Sequence, residues 1–118
     1  MHQSLYLFGV LACAAVSLLA QDPVKVDAKH YKVEFENANV RVLRVSYAPG
    51  EKSIMHNHPE AVAVFLTDSK GKFTYPGGKS EEWVSKTGET RTTPAVKHLP
   101  ENTGSTRLEL ILVEVKKK

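Results

Sequence analysis

Lys72-Phe73-Thr74-Tyr75-Pro76-Gly77-Gly78-Lys79-Ser80-Glu81-Glu82-Trp83-Val84 is the stretch on which the fold turns. Lys72 to Tyr75 and Glu81 to Val84 are short runs carrying Phe, Thr, Tyr, Trp and Val, residues that suit a pleated, half-buried surface. Pro76-Gly77-Gly78 between them supplies the fixed and the permissive backbone angles of a tight connection, so the stretch predicts a β-hairpin.

The same punctuation continues outward in both directions. Toward the N-terminus, Asp68-Ser69-Lys70-Gly71 predicts a turn, and Ala61 to Leu66 is nearly all apolar, as expected of a strand covered on both faces. Val40 to Ala48 predicts a strand ended by Pro49-Gly50, with Leu43, Val45 and Tyr47 on one face. Val40 and Val42 fall on the other parity, which fits either a bulge or a strand covered on both sides. Tyr31 to Phe35 alternates apolar and polar residues, and Asn37-Ala38-Asn39 turns the chain. Toward the C-terminus, Thr87-Gly88-Glu89 turns into Thr90 to Thr93, Pro94 breaks that run, and His98 to Asn102 follows. After a turn at Thr103-Gly104-Ser105 comes a last strand, Arg107 to Val115, with Leu108, Leu110 and Leu112 on one face and Ile111, Val113 and Val115 on the other. No helical period is evident in this region, and the strand spacing of roughly ten residues predicts one all-β domain, a sandwich or barrel.

Leu5 to Ala20 is different in kind: an apolar run without Asp, Glu, Lys or Arg, too short to span a bilayer comfortably. Small residues at Ser17 and Ala20, followed by polar Gln21-Asp22-Pro23, predict a secretory signal over residues 1–20 and a single domain over 21–118. The expectation is a secreted or periplasmic protein with no membrane span after cleavage. Val10-Leu11-Ala12-Cys13 offers a weaker, lipoprotein-like reading. Cys13 is the only cysteine, so the domain itself has no thiol for a disulfide or for cysteine catalysis. The formal charge is +3, with lysines scattered among glutamates, and no basic stripe or aromatic platform points to nucleic acid.

His56 and His58 stand two apart, a spacing that in a strand puts both imidazoles on one face. His98 lies forty residues on, where a hairpin-built barrel can bring it opposite the pair. Three neutral imidazoles are a common ligand set for Zn, Fe, Ni, Cu or Mn. Spacing alone leaves two readings open, metal ligands or satisfied core histidines. His30 reads as isolated and not a ligand. Arg91 and Tyr75 fit a barrel mouth or a plain surface, and Trp83 fits core or rim. No Ser/His/Asp arrangement or phosphate-binding glycine loop is present, so no catalytic residue is assigned.

Gly50-x5-His56-x-His58 with Gly71 beyond it resembles the first cupin motif, and Gly88-x5-Pro94-x3-His98-x3-Asn102 resembles the second. The resemblance, over residues 30 to 115, implies a jelly-roll or conical β-barrel with a metal near its centre, held by His56, His58 and His98. Two departures stand out. The acidic ligand of the first motif falls at Val62 or Ala63, which cannot coordinate, leaving nearby Glu60 as a further candidate; and the second motif is one residue short, without a glycine between Pro94 and His98. A three-histidine site leaves a bound divalent ion its full charge and favours anionic or chelating partners. Three functions follow as expectations: a metal-dependent enzyme of oxygenase, isomerase or lyase type acting on a small organic molecule, a non-catalytic metal or small-ligand binding module, or a dimerising barrel with a degenerate site. The two-sided apolar terminal strand suits a homodimer interface.

Overall fold

The computed structural model describes residues 21–117; the predicted signal sequence, including Cys13, lies outside them. One turn of helix, α1 (Pro23–Val26), is followed by nine strands: β1 (Tyr31–Glu36), β2 (Val40–Tyr47), β3 (His56–His58), β4 (Ala61–Phe65), β5 (Ser69–Thr74), β6 (Ser80–Ser85), β7 (Thr90–Thr93), β8 (Val96–Asn102) and β9 (Leu108–Val115). They form a five-stranded sheet, β1-β2-β9-β4-β7, and a four-stranded sheet, β3-β8-β5-β6. All the strand pairs are antiparallel.

The hairpin forms as the sequence predicts, with Thr74 paired to Ser80 and Gly71 to Trp83. Gly77 and Gly78 both take φ of +94° in its turn, a backbone region that disfavours other residues. Gly71 has a different task. A Cβ there would lie 2.4 Å from Trp83 Cζ2, so only glycine lets the indole lie flat across β5.

Three local expectations are corrected. Ser69, Lys70 and Gly71 belong to β5, and the chain turns before them at Leu66–Thr67. The bulge lies in β1, between Val33 and Phe35, while β2 pairs with β9 in unbroken register. Pro23–Val26 is helical: Asp22 caps the turn by accepting from the Val24 amide, and proline stands at its start. A single turn is too short to show a period.

The core lies between the sheets, built from Leu43, Val45 and Tyr47 of β2, Ala61, Ala63 and Phe65 of β4, Leu108 and Leu112 of β9, and Tyr31 of β1. Every second residue of these strands points inward, as their alternation requires. Two charged residues share the inward parity: Arg41 precedes Leu43 on β2, and Glu114 follows Leu112 on β9. They are paired across the two strands.

Candidate metal centre

β3 and β8 are neighbours, and their register sets His56 directly opposite His98. Opposite residues of an antiparallel pair share a face, and His58 joins them through the two-residue period. All three histidines are buried, and one ring nitrogen from each lies within 4.8 Å of the others. The ring centroids of His98 are 5.2 Å from those of both His56 and His58, with the rings nearly perpendicular.

What stands behind each ring decides its chemistry. His56 Nδ1 lies 2.7 Å from the Ile54 carbonyl oxygen, which can only accept, and 3.1 Å from Ser53 Oγ. His58 Nδ1 lies 2.9 Å from Glu114 Oε2. Burial works to raise the Glu114 pKa, but hydrogen bonds with His58 and Arg41 outweigh it and hold the carboxyl below its ordinary value. Neutral His56 and His58 therefore carry their protons on Nδ1, and their Nε2 lone pairs face each other 2.9 Å apart. Two lone pairs at that distance repel unless a cation stands between them, either a shared proton or a metal ion bound by both rings.

His98 supplies the third donor. Neither of its ring nitrogens has a hydrogen-bond partner among the described residues, an exposed cost for a buried polar group. Burial, and then the neighbouring His58 and His56, push its pKa down to about 3; burial and His58 push that of His56 down to about 4. Both rings are neutral near pH 7 and ready to coordinate without first losing a proton. An ion bound at about 2.0–2.1 Å to two imidazoles sets their nitrogens about 3 Å apart, close to the His56–His58 spacing. The residues fit a divalent metal.

The residues around the N-terminal turn hold these histidines from outside. Asp22 makes a two-pronged ion pair with Arg41, at 2.9 and 3.0 Å, and Arg41 Nε donates to Glu114 Oε1 at 2.7 Å. A chain of charge-assisted bonds thus runs from Asp22 through Arg41 and Glu114 to His58. Asp27 accepts from Ser53 Oγ at 2.5 Å, and Ser53 leads to His56. Gln21 binds Asn57, the residue between the two ligands, by both backbone and side chain, at 2.9 and 3.0 Å.

Solved structures share this architecture. A cupin domain from Bordetella pertussis superposes with a TM-score of 0.68 at 26% identity, over 74% of this chain and 92% of that one. A cupin family protein with a double-stranded β-helix fold from Methanocaldococcus jannaschii gives 0.56 at 19% identity, over 75% and 83%. A cupin superfamily protein from Desulfitobacterium hafniense gives 0.55 at 14%, over 74% and 76%. The chain belongs to the cupin superfamily. No protein-family model and no curated protein matches its sequence.

The departures from the cupin motifs now have a physical form. Val62 faces away from the core and Ala63 points into it without a polar atom. Glu60 is corrected as a candidate ligand: it is exposed in the bend between β3 and β4, and it is not part of the histidine cluster. Proline at 59 ends the β3 alternation before Glu60 can share the parity of His58. The buried carboxylate in direct contact with the histidine cluster is Glu114 on β9, opposite Ala61, and it is spent on His58 and Arg41. The missing glycine does not misdirect His98, which sits third in β8. Asn102 of the same motif is structural: its amide donates to the carbonyls of Tyr47 and Thr106, and its oxygen accepts from the Gly104 amide.

Sequence reasoning missed Glu114, Arg41, Asp27 and Ser53. Parity was the available signal for the first two, since each is a charge on an otherwise apolar inward face. His30 lies outside the cluster but is far from isolated. It is buried, bonded through Nδ1 to both Asp27 oxygens at 2.8 Å, and stacked on Tyr47 with centroids 4.1 Å apart.

A cavity of about 90 Å³ opens beside the histidines, lined chiefly by apolar side chains including Phe65, Phe73 and Trp83, with His58 and His98 in its wall. Arg91 lines it as well. Tyr75 does not: its hydroxyl bonds to Glu81 on the hairpin.

Proposed function

We propose that this cupin binds one divalent transition metal ion, Zn, Fe, Mn, Ni or Cu, through Nε2 of His56, Nε2 of His58 and one ring nitrogen of His98, and uses it on a small organic molecule held in the adjoining cavity. The facing lone pairs of His56 and His58, with an unpartnered His98 beside them, carry the reading. A bound ion supplies a Lewis acid with positions left for a ligand. The chain's own part is to hold three neutral imidazoles, fix the tautomer of two, and keep water from an apolar chamber.

A non-catalytic binding role is the second reading, and one observation favours it. The polar groups nearest the site are already engaged: the Tyr31 and Tyr47 hydroxyls bond to each other at 2.7 Å, and Glu114 lies between His58 and Arg41. Glu101, which lines the cavity with His58 and His98, pairs with Lys72 at 3.9 Å. Elemental analysis of natively purified protein against a His56→Ala/His58→Ala variant tests metal binding. About one ion per chain in the parent and none in the variant is expected; a parent well below one sinks both readings. With metal present, turnover of carbonyl, diol or phenolic compounds under air separates enzyme from binder.

Two further parts of the proposal concern the whole chain. Export with cleavage after Ala20 rests on the apolar run alone, and an intact mass showing Gln21 as the first residue of the exported protein tests it. A homodimer rests on the outer face of the five-stranded sheet. There Phe35, Val42, Val113 and Val62 form one row across four strands, and Phe35 is 54% exposed. Val113→Lys is expected to turn a dimer into a monomer in sedimentation; a monomeric parent ends the idea.

A further inference from the structure

The cavity says more about its occupant than that it is small. Tyr31 and Tyr47 share one hydrogen bond, one hydroxyl donating to the other, and Arg91 is matched by Glu89 at 2.8 Å and by the Val84 carbonyl. Among the described residues lining the cavity, two side chains keep buried polar atoms without any partner: His98, and Trp83 through its indole N–H. Phe73 stands between them, its ring centroid 4.5 Å from that of His98 and 5.6 Å from that of Trp83. Phe65 closes the Trp83 side, with centroids 5.5 Å apart. The wall between the two orphaned groups is therefore aromatic.

Each end asks for a different atom. Three neutral imidazoles leave the ion its charge, so the inner end favours an anionic oxygen. The indole N–H is a donor only and asks for an acceptor. That acceptor is neutral: Glu101 also lines the cavity with Lys72 3.9 Å away as its cation, and Arg91 is paired with Glu89, so a carboxylate there would meet Glu101 with no free cation. A volume of about 90 Å³ holds roughly six to nine water-sized groups, one ring with a substituent at each end.

Resting on the metal reading above, we propose that the site takes a single-ring phenolic compound, its ionised oxygen on the metal, its ring against Phe73 and Phe65, and a neutral acceptor such as a carbonyl oxygen on the indole N–H of Trp83. The ring's π-face suits tilted and offset neighbours of this kind.

The test uses the protein loaded with Co(II), whose visible absorption reports the metal's ligands. The probes are 4-hydroxybenzaldehyde, 4-methylphenol and azide, tested on the parent and on Trp83→Phe, which keeps a ring and removes the donor. Both phenols are expected to bind the parent more tightly than azide. Trp83→Phe is expected to weaken 4-hydroxybenzaldehyde about tenfold, the loss of one buried hydrogen bond, and to change 4-methylphenol less than about twofold. Comparing the two phenols across the variant cancels their different acidities. If Co(II) does not bind, the metal reading fails and takes this one with it. If Co(II) binds and azide perturbs its spectrum while neither phenol does, the phenolic proposal alone is overturned. Equal weakening of both phenols overturns the role of the indole N–H. Should Trp83→Phe fail to fold, the parent still decides, because Trp83 is the only tryptophan in the chain. Its fluorescence is expected to be quenched saturably by 4-methylphenol and restored by excess azide; an unchanged signal on 4-methylphenol overturns the proposal.

Discussion

His56 and His58 differ from His98 in what lies behind the ring. The first two are pinned through Nδ1, one by a carbonyl and a serine, the other by a buried carboxylate that is itself held by an arginine. His98 is packed against Phe73 and bonded to nothing among the described residues. Pinned imidazoles have a fixed tautomer and a fixed aim, and a carboxylate behind one makes it a stronger donor. His98 has neither nitrogen committed, so either is free to bind. β3 thus holds two histidines of fixed aim, while β8 brings a third with both nitrogens uncommitted beside the cavity.

Breaking the rigid half has the largest expected effect. His58→Ala removes one ligand and leaves Glu114 facing a void, and metal content measured after dialysis is expected to fall below about a tenth of the parent's, whereas His98→Ala is expected to retain a measurable fraction. Equal loss in both variants would erase the distinction. Glu114→Gln leaves every ligand in place and removes only the charge behind His58; about a 10- to 100-fold weaker metal affinity in competition with a chromogenic chelator is expected, and an unchanged affinity would show that the carboxylate is merely structural.

Acid probes His56 and His98 without a mutation. The folded state holds His56 at about 4 and His98 at about 3, against an ordinary value of 6.5. As pH falls below 6.5 the unfolded chain takes up protons that the folded chain refuses, so the metal-free fold loses stability from 6.5 down through 4 and toward 3. Thermal midpoints of the metal-free protein are expected to drop steadily between pH 7 and pH 4; a flat profile would mean that burial does not hold these rings neutral. Ser53→Ala is gentler, because the Ile54 carbonyl still pins His56, and an affinity loss of less than about tenfold is expected. Glu60→Gln, at an exposed bend, is expected to leave metal affinity within about twofold.

The clustering of the three histidines was legible because its elements are short-range: a two-residue period places His56 with His58, and turn chemistry at Gly88 and Pro94 delivers His98 to the adjacent strand. The hairpin at Gly77-Gly78 was legible for the same reason. The support was not. Glu114 reaches His58 across 56 residues of sequence and Arg41 across 73, and no local pattern encodes that register. The inward parity of Arg41 and Glu114 marks two charges that need each other, without saying that a histidine shares them. Asp27 and His30 were hidden in a single helical turn, where no period can develop. Motif spacing put its carboxylate at Val62 or Ala63, with Glu60 merely nearby, and gave no pointer to Glu114 on β9.

The contacts of Gln21, Asp22 and Asp27 have a consequence in time. β3 is an edge strand of three residues, and its outer supports come from the first residues of the described chain, while Glu114 comes from nearly the last. Each of these contacts joins stretches far apart in sequence, and closing long loops precedes the reward of the contacts they bring. The His56–His58 half-site is therefore expected to be completed late in folding, with metal uptake following it. Stopped-flow refolding with Co(II) present is expected to show its absorbance rising after Trp83 fluorescence has settled; absorbance that rises first would make the ion a template for the fold.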